Sequence, residues 1–290
     1  MRILITSDTH YHPKTKAAVD TMRDRIMDEH GACDVLVILG DIGEEAPMFA
    51  ACLHSLHHIA PMRLCIPGNH DFYKNSGYST DALRKMILPS IAKEQSYGYG
   101  AQVVRQGNVV FVLNSCWHNL SWCSPYLKRS LGKSDLEDAY RRGIMDAVKM
   151  STPYRELHQI NMQEFVGQMS SVQRIIKPGD HLIIGSHWPI LREMYKPFIP
   201  KSSRAFVDTS NPEQMAQFAH ATDAAFLAPE FGDIVFDTIA KMPVKPEKVF
   251  FFAGHTHQGE AKIIERNGQK ATSIIVGSDY NAPAYILLEI

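Results

Sequence analysis

The sequence predicts an α/β domain in which buried strands alternate with helices, and two features lead to this expectation. Short apolar runs rich in β-branched residues recur along the 290-residue chain, and each ends in a polar or glycine-containing turn. Stretches compatible with helices lie between these runs. Strands that alternate with helices favour a layered α/β architecture.

Each element follows from its own pattern. Buried strands are predicted at residues 2–6, 35–39, 63–66, 182–184 and 249–252. Helices are predicted at residues 15–29, 48–58, 81–93, 161–176 and 230–241. Hairpins are expected at residues 103–113 and 261–275, the second turning at Asn267-Gly268. Some strand pairing should therefore be antiparallel.

Two stretches interrupt this rhythm, residues 115 to about 155 and 191 to about 227. Both have mixed polarity and carry several prolines and aromatic residues. We expect them to be insertions over one face of a single domain that spans residues 1–290. No repeat, low-complexity tract or flexible linker divides the chain.

The composition is that of an ordinary globular protein. Apolar residues make up 45% of the chain, and 30 Lys and Arg nearly balance 31 Asp and Glu, so a nucleic-acid partner is disfavoured. The five cysteines are odd in number and lack disulfide spacing, which indicates free thiols in a reducing compartment. We expect a cytoplasmic protein with no export signal and no membrane span, because the apolar runs are far shorter than the roughly 20 residues a span needs.

Polar side chains suited to binding metal follow the five predicted strands. They are Asp8 and His10; Asp41; Asn69, His70 and Asp71; His187; and His255 and His257. The carboxyl ends of strands gather at one edge of an α/β sheet, so these residues should meet. In extended backbone, residues two apart face the same side, so Asp8 with His10 and His255 with His257 could each clamp one ion.

The donor set also predicts the chemistry. It contains carboxylates, imidazoles and an amide oxygen but no thiolate, which suits two divalent or transition-metal ions such as Mn, Fe or Zn in a catalytic site. Two ions about 3.5 to 4 Å apart can lower the pKa of a bridging water and stabilise both oxygens of an in-line displacement. Phosphoryl transfer is the reaction that benefits most.

Five ordered blocks resemble the signature of the calcineurin-like metallophosphoesterase superfamily. They are Asp8-x-His10, Gly40-Asp41, Gly68-Asn-His-Asp71, His187 and Gly254-His-x-His257. The resemblance runs from residue 1 to about residue 257. It implies a four-layer α/β/β/α sandwich of mixed sheets flanked by helices, with the two insertions over the active-site face, and a phosphatase or phosphodiesterase activity.

The resemblance also implies a role for each residue. One ion would be bound by Asp8, His10, Asp41 and His257, and the second by Asp41, Asn69, His187 and His255. His70 would bind the phosphate and protonate the departing oxygen, Asp71 would hold the His70 imidazole, and a hydroxide bridging the ions would be the nucleophile. Some relatives carry an acid three or four residues after the bridging Asp; here it would be Glu44 or Glu45.

Other groups have competing interpretations. Cys116, His118 and Cys123 could form a zinc clamp, but free thiols near the site fit better, because no fourth ligand stands at a familiar spacing. The following residues could either contact substrate or pack the insertion onto the body: Trp117, Trp122, Tyr126, Lys128 and Arg129. His54, His57 and His58 fit a helix face without ligand function.

Three functions compete. We favour a hydrolase of a small phosphorylated metabolite or nucleotide. A nuclease of the same superfamily is disfavoured by the balanced charge and by the lack of a basic groove with interleaved aromatic residues. A non-catalytic interaction module is disfavoured because no ligand is missing from the signature.

Overall fold

A computed structural model of the protein describes residues 1–73, 77–123, 149–194, 226–279 and 281–290. The strands are β1 (Arg2–Thr6), β2 (Val35–Leu39), β3 (Met62–Ile66), β4 (Gly98–Tyr99), β5 (Gln102–Gln106), β6 (Val109–Asn114), β7 (Trp122–Cys123), β8 (His181–Ser186), β9 (Phe226–Leu227), β10 (Lys248–Ala253), β11 (Glu260–Arg266), β12 (Gln269–Ile275) and β13 (Tyr285–Glu289).

The helices are α1 (Lys16–His30), α2 (Ala46–Leu56), α3 (Thr80–Ala82), α4 (Leu88–Glu94), α5 (Tyr154–Ile175) and α6 (Pro229–Lys241). A π-helical segment, Leu83–Ile87, joins α3 to α4, and short 3₁₀ turns cover His70–Phe72 and Arg192–Met194. No helix in these described ranges is both long and apolar enough to cross a membrane.

The strands form two mixed sheets and a small ribbon. The first sheet has the order β13-β1-β2-β3-β4 and the second the order β11-β12-β10-β8-β6-β5. Strands β1 to β4 are parallel, and β13 adds antiparallel to β1. In the second sheet β6, β8, β10 and β12 are parallel, while β5 and β11 add antiparallel as the predicted hairpins. The ribbon pairs β7 with β9.

Three apolar clusters define four layers. In β2, Val35, Val37 and Leu39 face residues of the second sheet, such as Phe111, in a core between the two sheets. The alternate residues of β2 face a second core formed with α1 and α2. The outer face of the second sheet packs on α5 and α6. Because both faces of β2 are buried, its sequence is a continuous apolar run. The predicted α/β/β/α sandwich is confirmed.

The element predictions differ from the structure mainly at the insertions. The predicted strands and hairpins are confirmed with small shifts at their ends. Helix α5 begins at Tyr154, directly after Pro153, whereas the sequence placed its start at residue 161. Residues 124–148 and 195–225, most of the two expected insertions, lie outside the described residues, as do Tyr126, Lys128 and Arg129.

Candidate metal centre

Backbone hydrogen bonds bring together the loops that follow the strands. The N–H of Asp8 donates to the carbonyl of Gly40 at 3.0 Å, and the N–H of His10 donates to that of Asp41 at 2.8 Å. The loops of the two sheets are joined as well, because the N–H of His255 donates to Asp8 Oδ2 at 2.9 Å. The carboxyl edges of both sheets therefore share one polar centre.

The backbone of this centre is left-handed where the sequence analysis assumed an extended chain. Positive φ angles occur at Asp8 (52°), His10 (40°), Asp41 (50°), His255 (67°) and His257 (54°). Residues other than glycine rarely adopt this conformation, and each such position carries a strain of about 1 kcal/mol or more that surrounding structure must hold. The assumption of extended backbone was wrong, because tight turns, and not strand alternation, aim these side chains.

Two glycines are required by close approach. A Cβ atom on Gly68 would overlap Asp41 Oδ1, and a Cβ atom on Gly254 would overlap Ser7 Oγ and stand 2.5 Å from Asp8 Oδ2. Any side chain at either position would displace a carboxylate of the centre. The backbone thus passes directly against the candidate ligands.

The first group of donors consists of Asp8, His10 and His257, whose donor atoms lie within 4.8 Å of one another. The carboxylate of Asp41 lies beside them, with Oδ2 3.7 Å from His10 Nε2. His257 Nδ1 lies 2.8 Å from the carbonyl oxygen of Ser278. That carbonyl accepts the Nδ1 proton, which leaves Nε2 of His257 as the nitrogen with a lone pair for a metal ion.

The second group consists of Asp41, His187 and His255, with Asn69 beside them. His187 Nε2 lies 2.9 Å from Asn69 Oδ1, 3.5 Å from Asp41 Oδ1 and 3.3 Å from His255 Nδ1. Two donors that are each about 2.1 Å from one ion lie about 3.0 to 3.4 Å apart in octahedral or tetrahedral coordination. The observed spacing therefore fits a single ion.

The second group also offers its lone pairs to a cation. His187 gives its Nδ1 proton to the carbonyl of Leu39 at 2.8 Å, and Asn69 gives an amide proton to the Tyr73 hydroxyl at 3.1 Å. The facing atoms, His187 Nε2 and Asn69 Oδ1, are then both acceptors. Two buried acceptors at 2.9 Å repel each other unless a positive ion lies between them.

Burial keeps His10, His187 and His255 neutral. Desolvation lowers the pKa of His187 to about 4 and lowers the pKa values of His10 and His255 well below the ordinary range. Neighbouring histidines lower the pKa values of His10 and His255 further. A neutral imidazole presents the lone pair that a metal ion binds. The residues therefore fit a dinuclear metal centre.

The pairing of the histidines differs from the first expectation. Asp8 and His10 do face one group, but His255 belongs to the second group and His257 to the first. This grouping is the one that the family resemblance implies, and left-handed turns at both positions replace the extended backbone on which the alternation argument rested.

His70 lies at the solvent edge of the centre. Its side chain is 18% exposed, whereas those of His10 and His187 are 1% and 0% exposed. Its ring meets the His10 ring edge-on at 4.6 Å, and a donor atom of His70 comes within 4.8 Å of those of His10 and Asp41. This position lets His70 meet a ligand that enters from solvent.

Glu44, and not Asp71, holds the His70 ring. Glu44 Oε1 lies 3.3 Å from His70 Nδ1, and this hydrogen bond is the main reason that the pKa of Glu44 is lowered. The carboxylate of Asp71 instead accepts backbone N–H groups from Ile42, Gly43 and Gly68 at 2.8 to 2.9 Å. The expectation that Asp71 orients the imidazole is corrected, because three buried donors need this acceptor.

Burial also raises the pKa of Asp71, and its backbone donors oppose that shift. Through these donors Asp71 fastens the loop of Asp41 to the loop of Asn69. It acts on the centre as a clamp between loops.

Two aromatic residues next to the ligands were not identified from the sequence. Trp188 is fully buried and its ring lies 3.5 Å from that of His255, centroid to centroid. Tyr73 fixes the amide of Asn69 through its hydroxyl. The sequence signal was adjacency alone, since Trp188 follows His187 and Tyr73 lies four residues after Asn69.

The other candidate groups have different roles. Cys33, Cys52, Cys65 and Cys116 are buried free thiols, as predicted. The ring of His118 packs against that of Trp188, with the centroids 4.3 Å apart. Neither His118 nor Cys116 joins a metal-binding group in the described ranges, and the side chain of Cys123 lies outside them. His54, His57 and His58 contact one another at the end of α2 and likewise join no such group there.

Comparison with known proteins gives one family and two structural likenesses. The family model of calcineurin-like phosphoesterases matches residues 1–259. The crystal structure of a phosphopantetheinyl hydrolase from Mycobacterium tuberculosis aligns with a TM-score of 0.61 at 14% identity, over 99% of this chain and 96% of that one. The crystal structure of the protein TT1561 from Thermus thermophilus aligns with a TM-score of 0.45 at 8% identity, over 97% of this chain and 90% of that one. No curated protein matches by sequence.

Proposed function

The chain belongs to the calcineurin-like phosphoesterase family, and we propose that it uses two metal ions to hydrolyse a small phosphorylated metabolite or nucleotide. Its family makes it a metal-dependent phosphoester hydrolase. One observation carries the two-ion proposal. The two carboxylate oxygens of Asp41 face different donor groups, Oδ2 towards His10 at 3.7 Å and Oδ1 towards His187 at 3.5 Å. A carboxylate placed in this way can bridge two ions.

We assign the ligands accordingly. Asp8, His10, Asp41 and His257 would hold one ion, and Asp41, Asn69, His187 and His255 the other. The donor groups and the short donor distances around His187 support this division. The donor set suits Mn, Fe or Zn and does not select among them.

Two bound ions would supply positive charge for the phosphoryl oxygens and would lower the pKa of the attacking water, which is the chemistry that the predicted bridging hydroxide needs. The rest of the chemistry belongs to side chains. His70 Nε2 binds a phosphoryl oxygen and gives its proton to the departing oxygen. Glu44 accepts the Nδ1 proton at 3.3 Å, which orients the ring.

The substrate proposal rests on charge. A formal net charge of -1 offers no bulk attraction to a nucleic-acid backbone, so a small substrate is favoured over DNA or RNA. A panel of nucleotides, sugar phosphates, DNA and RNA tests this proposal, with released phosphate and strand cleavage as the readouts. Preferential cleavage of DNA or RNA would contradict it.

We further propose that residues 1–290 form one domain. The pairing of β13 with β1 supports this, because it places Arg2 opposite Glu289 in the first sheet. The expected cytoplasmic location stays a prediction, and the four buried free thiols are compatible with it.

Two substitutions test the roles of Asp41 and His70. Asp41→Asn removes charge from both ion sites, so metal content measured by elemental analysis and hydrolysis of an aryl phosphate should fall together. His70→Ala should keep the metal content of the wild type and lower kcat by about 10²- to 10⁴-fold, the usual contribution of a general acid. Equal metal loss in both variants would refute the division of roles, and full activity of metal-free wild-type protein would refute the mechanism.

A further inference from the structure

Lys149 is fixed at the edge of the centre by the segment that follows it. The N–H of Thr80 donates to Ser151 Oγ at 2.8 Å, and the N–H of Ser151 donates to Thr80 Oγ1 at 2.9 Å. Thr80 is fully buried, and Met150 packs in the core below the first sheet. These reciprocal bonds and the buried methionine hold the backbone on both sides of Ser151, so Lys149 has a defined position.

The Lys149 ammonium and the His70 ring both contact Tyr73. Its Nζ stands 4.8 Å from the centre of the Tyr73 ring, and the Tyr73 ring lies 4.5 Å from that of His70. Tyr73 therefore connects the Lys149 ammonium with His70, which in turn contacts the metal ligand His10. The positive charge of Lys149 also contributes to the lowered pKa of Glu44, after the larger effect of His70. Its electric field thus reaches the residues that handle the proton.

This ammonium makes no ion pair with a carboxylate within the described ranges. Its contact there is the face of Tyr73, which leaves most of the hydrogen-bonding capacity of the ammonium for another group. A half-buried cation beside a site for phosphate is suited to bind a second anion.

We propose that Lys149 determines specificity by binding an anionic substituent of the leaving group. This inference rests on the proposed function, in which His70 protonates the departing oxygen. The leaving group then lies on the His70 side of the phosphoryl group, and its remoter atoms face Lys149. The preferred substrates are phosphoesters whose leaving group carries a further phosphate or carboxylate, as in many phosphorylated metabolites and nucleotides.

A matched pair of substrates tests the inference. Carboxyphenyl phosphate and carbamoylphenyl phosphate, both para-substituted, have leaving groups of the same shape, and only the first carries a negative charge. In the metal-loaded wild-type enzyme, kcat/KM should be about tenfold higher for the carboxylate, the order expected for one hydrogen bond to an ionised group. Added salt should reduce this preference, since the contact is partly solvated.

The variants separate charge recognition from packing. Lys149→Ala should abolish the preference and leave kcat/KM for the carbamoyl ester within about twofold of wild type, whereas Lys149→Arg should retain most of the preference. Lys270→Ala serves as the control, because Lys270 is 75% exposed in the β11–β12 hairpin and should change neither value.

Two results would overturn the inference by itself. An equal loss of kcat/KM on both esters in Lys149→Ala would mean that Lys149 supports Tyr73 or His70 and does not bind the charged substituent. An unchanged preference would mean that Lys149 does not contact the leaving group. Failure of the metal-loaded wild-type enzyme to hydrolyse either ester would instead overturn the proposed function, and the inference with it.

Discussion

Replacing Glu44 by Gln removes the charge that holds His70 and keeps the shape of the side chain. The hydrogen bond spans 3.3 Å between Glu44 Oε1 and His70 Nδ1. A hydrogen bond to a charged group contributes about 1.5 to 3 kcal/mol. The two side chains are 34% and 18% exposed, so solvent screening reduces this contribution to about 1 to 2 kcal/mol. That loss corresponds to about a 5- to 30-fold lower kcat.

The assay is hydrolysis of an aryl phosphate at saturating substrate, with metal content measured on the same samples. Glu45→Gln is the matched control, since Glu45 is the neighbouring acid and is exposed. Placing Glu44→Gln in a His70→Ala background should add little further loss, because the two residues act as one unit. A loss of kcat in Glu45→Gln as large as that in Glu44→Gln, or a loss of metal in Glu44→Gln, would refute the assignment.

Glu44 also predicts a pH dependence of stability. Its pKa is lowered in the folded protein, mainly by the hydrogen bond to His70. A carboxyl with a lowered folded pKa stabilises the fold above its unfolded pKa, about 4.3, and this contribution is lost as the pH falls through the folded value. The unfolding free energies of wild type and Glu44→Gln should therefore differ near pH 6, and the difference should shrink as the pH falls below the unfolded pKa. A constant difference in denaturant titrations across that range would contradict this origin.

Three further substitutions test the loops around the centre. Asp71→Asn places an amide among three backbone donors, so the midpoint of thermal unfolding and the metal content should both fall. A loss of kcat alone would instead indicate that Asp71 orients His70. Gly68→Ala pushes a methyl group into Asp41 Oδ1 and should abolish metal binding. In Gly167→Ala the added methyl group meets nothing within 4 Å in α5. This control should leave metal binding unchanged and should not lower stability, since alanine favours a helix over glycine by up to about 1 kcal/mol. Trp188→Leu removes the ring packed against His255 and should weaken the binding of one ion more than that of the other in metal titrations. Equal weakening of both would indicate general loosening of the centre.

The fold could be predicted from the sequence wherever local pattern and burial agree. The run Val35–Leu39 is apolar throughout because the two faces of β2 lie against different cores. The hairpin turn at Asn267-Gly268 follows from two residues that readily adopt positive φ, and both do so. The start of α5 was missed because residues up to about 155 were assigned to an insertion, although Leu157 and His158 continue the buried helix face of Phe165 and Met169.

The candidate metal ligands could be chosen from the sequence alone. Carboxylates, imidazoles and an amide that follow successive buried strands must meet at one edge, whatever the details of the loops. This is why residues as distant as Asp8 and His255 could be assigned to one centre before their contact at 2.9 Å was known.

Only the tertiary structure decided how the backbone aims those ligands and which acid serves His70. Left-handed turns, and not strand alternation, point His255 and His257 towards different donor groups. The choice of Glu44 over Asp71 depends on where buried N–H groups of a different loop point. Neighbours in sequence do not reveal such contacts, because a buried carboxylate turns towards the donors that would otherwise lack a partner, and those donors are placed by the packing of the whole chain.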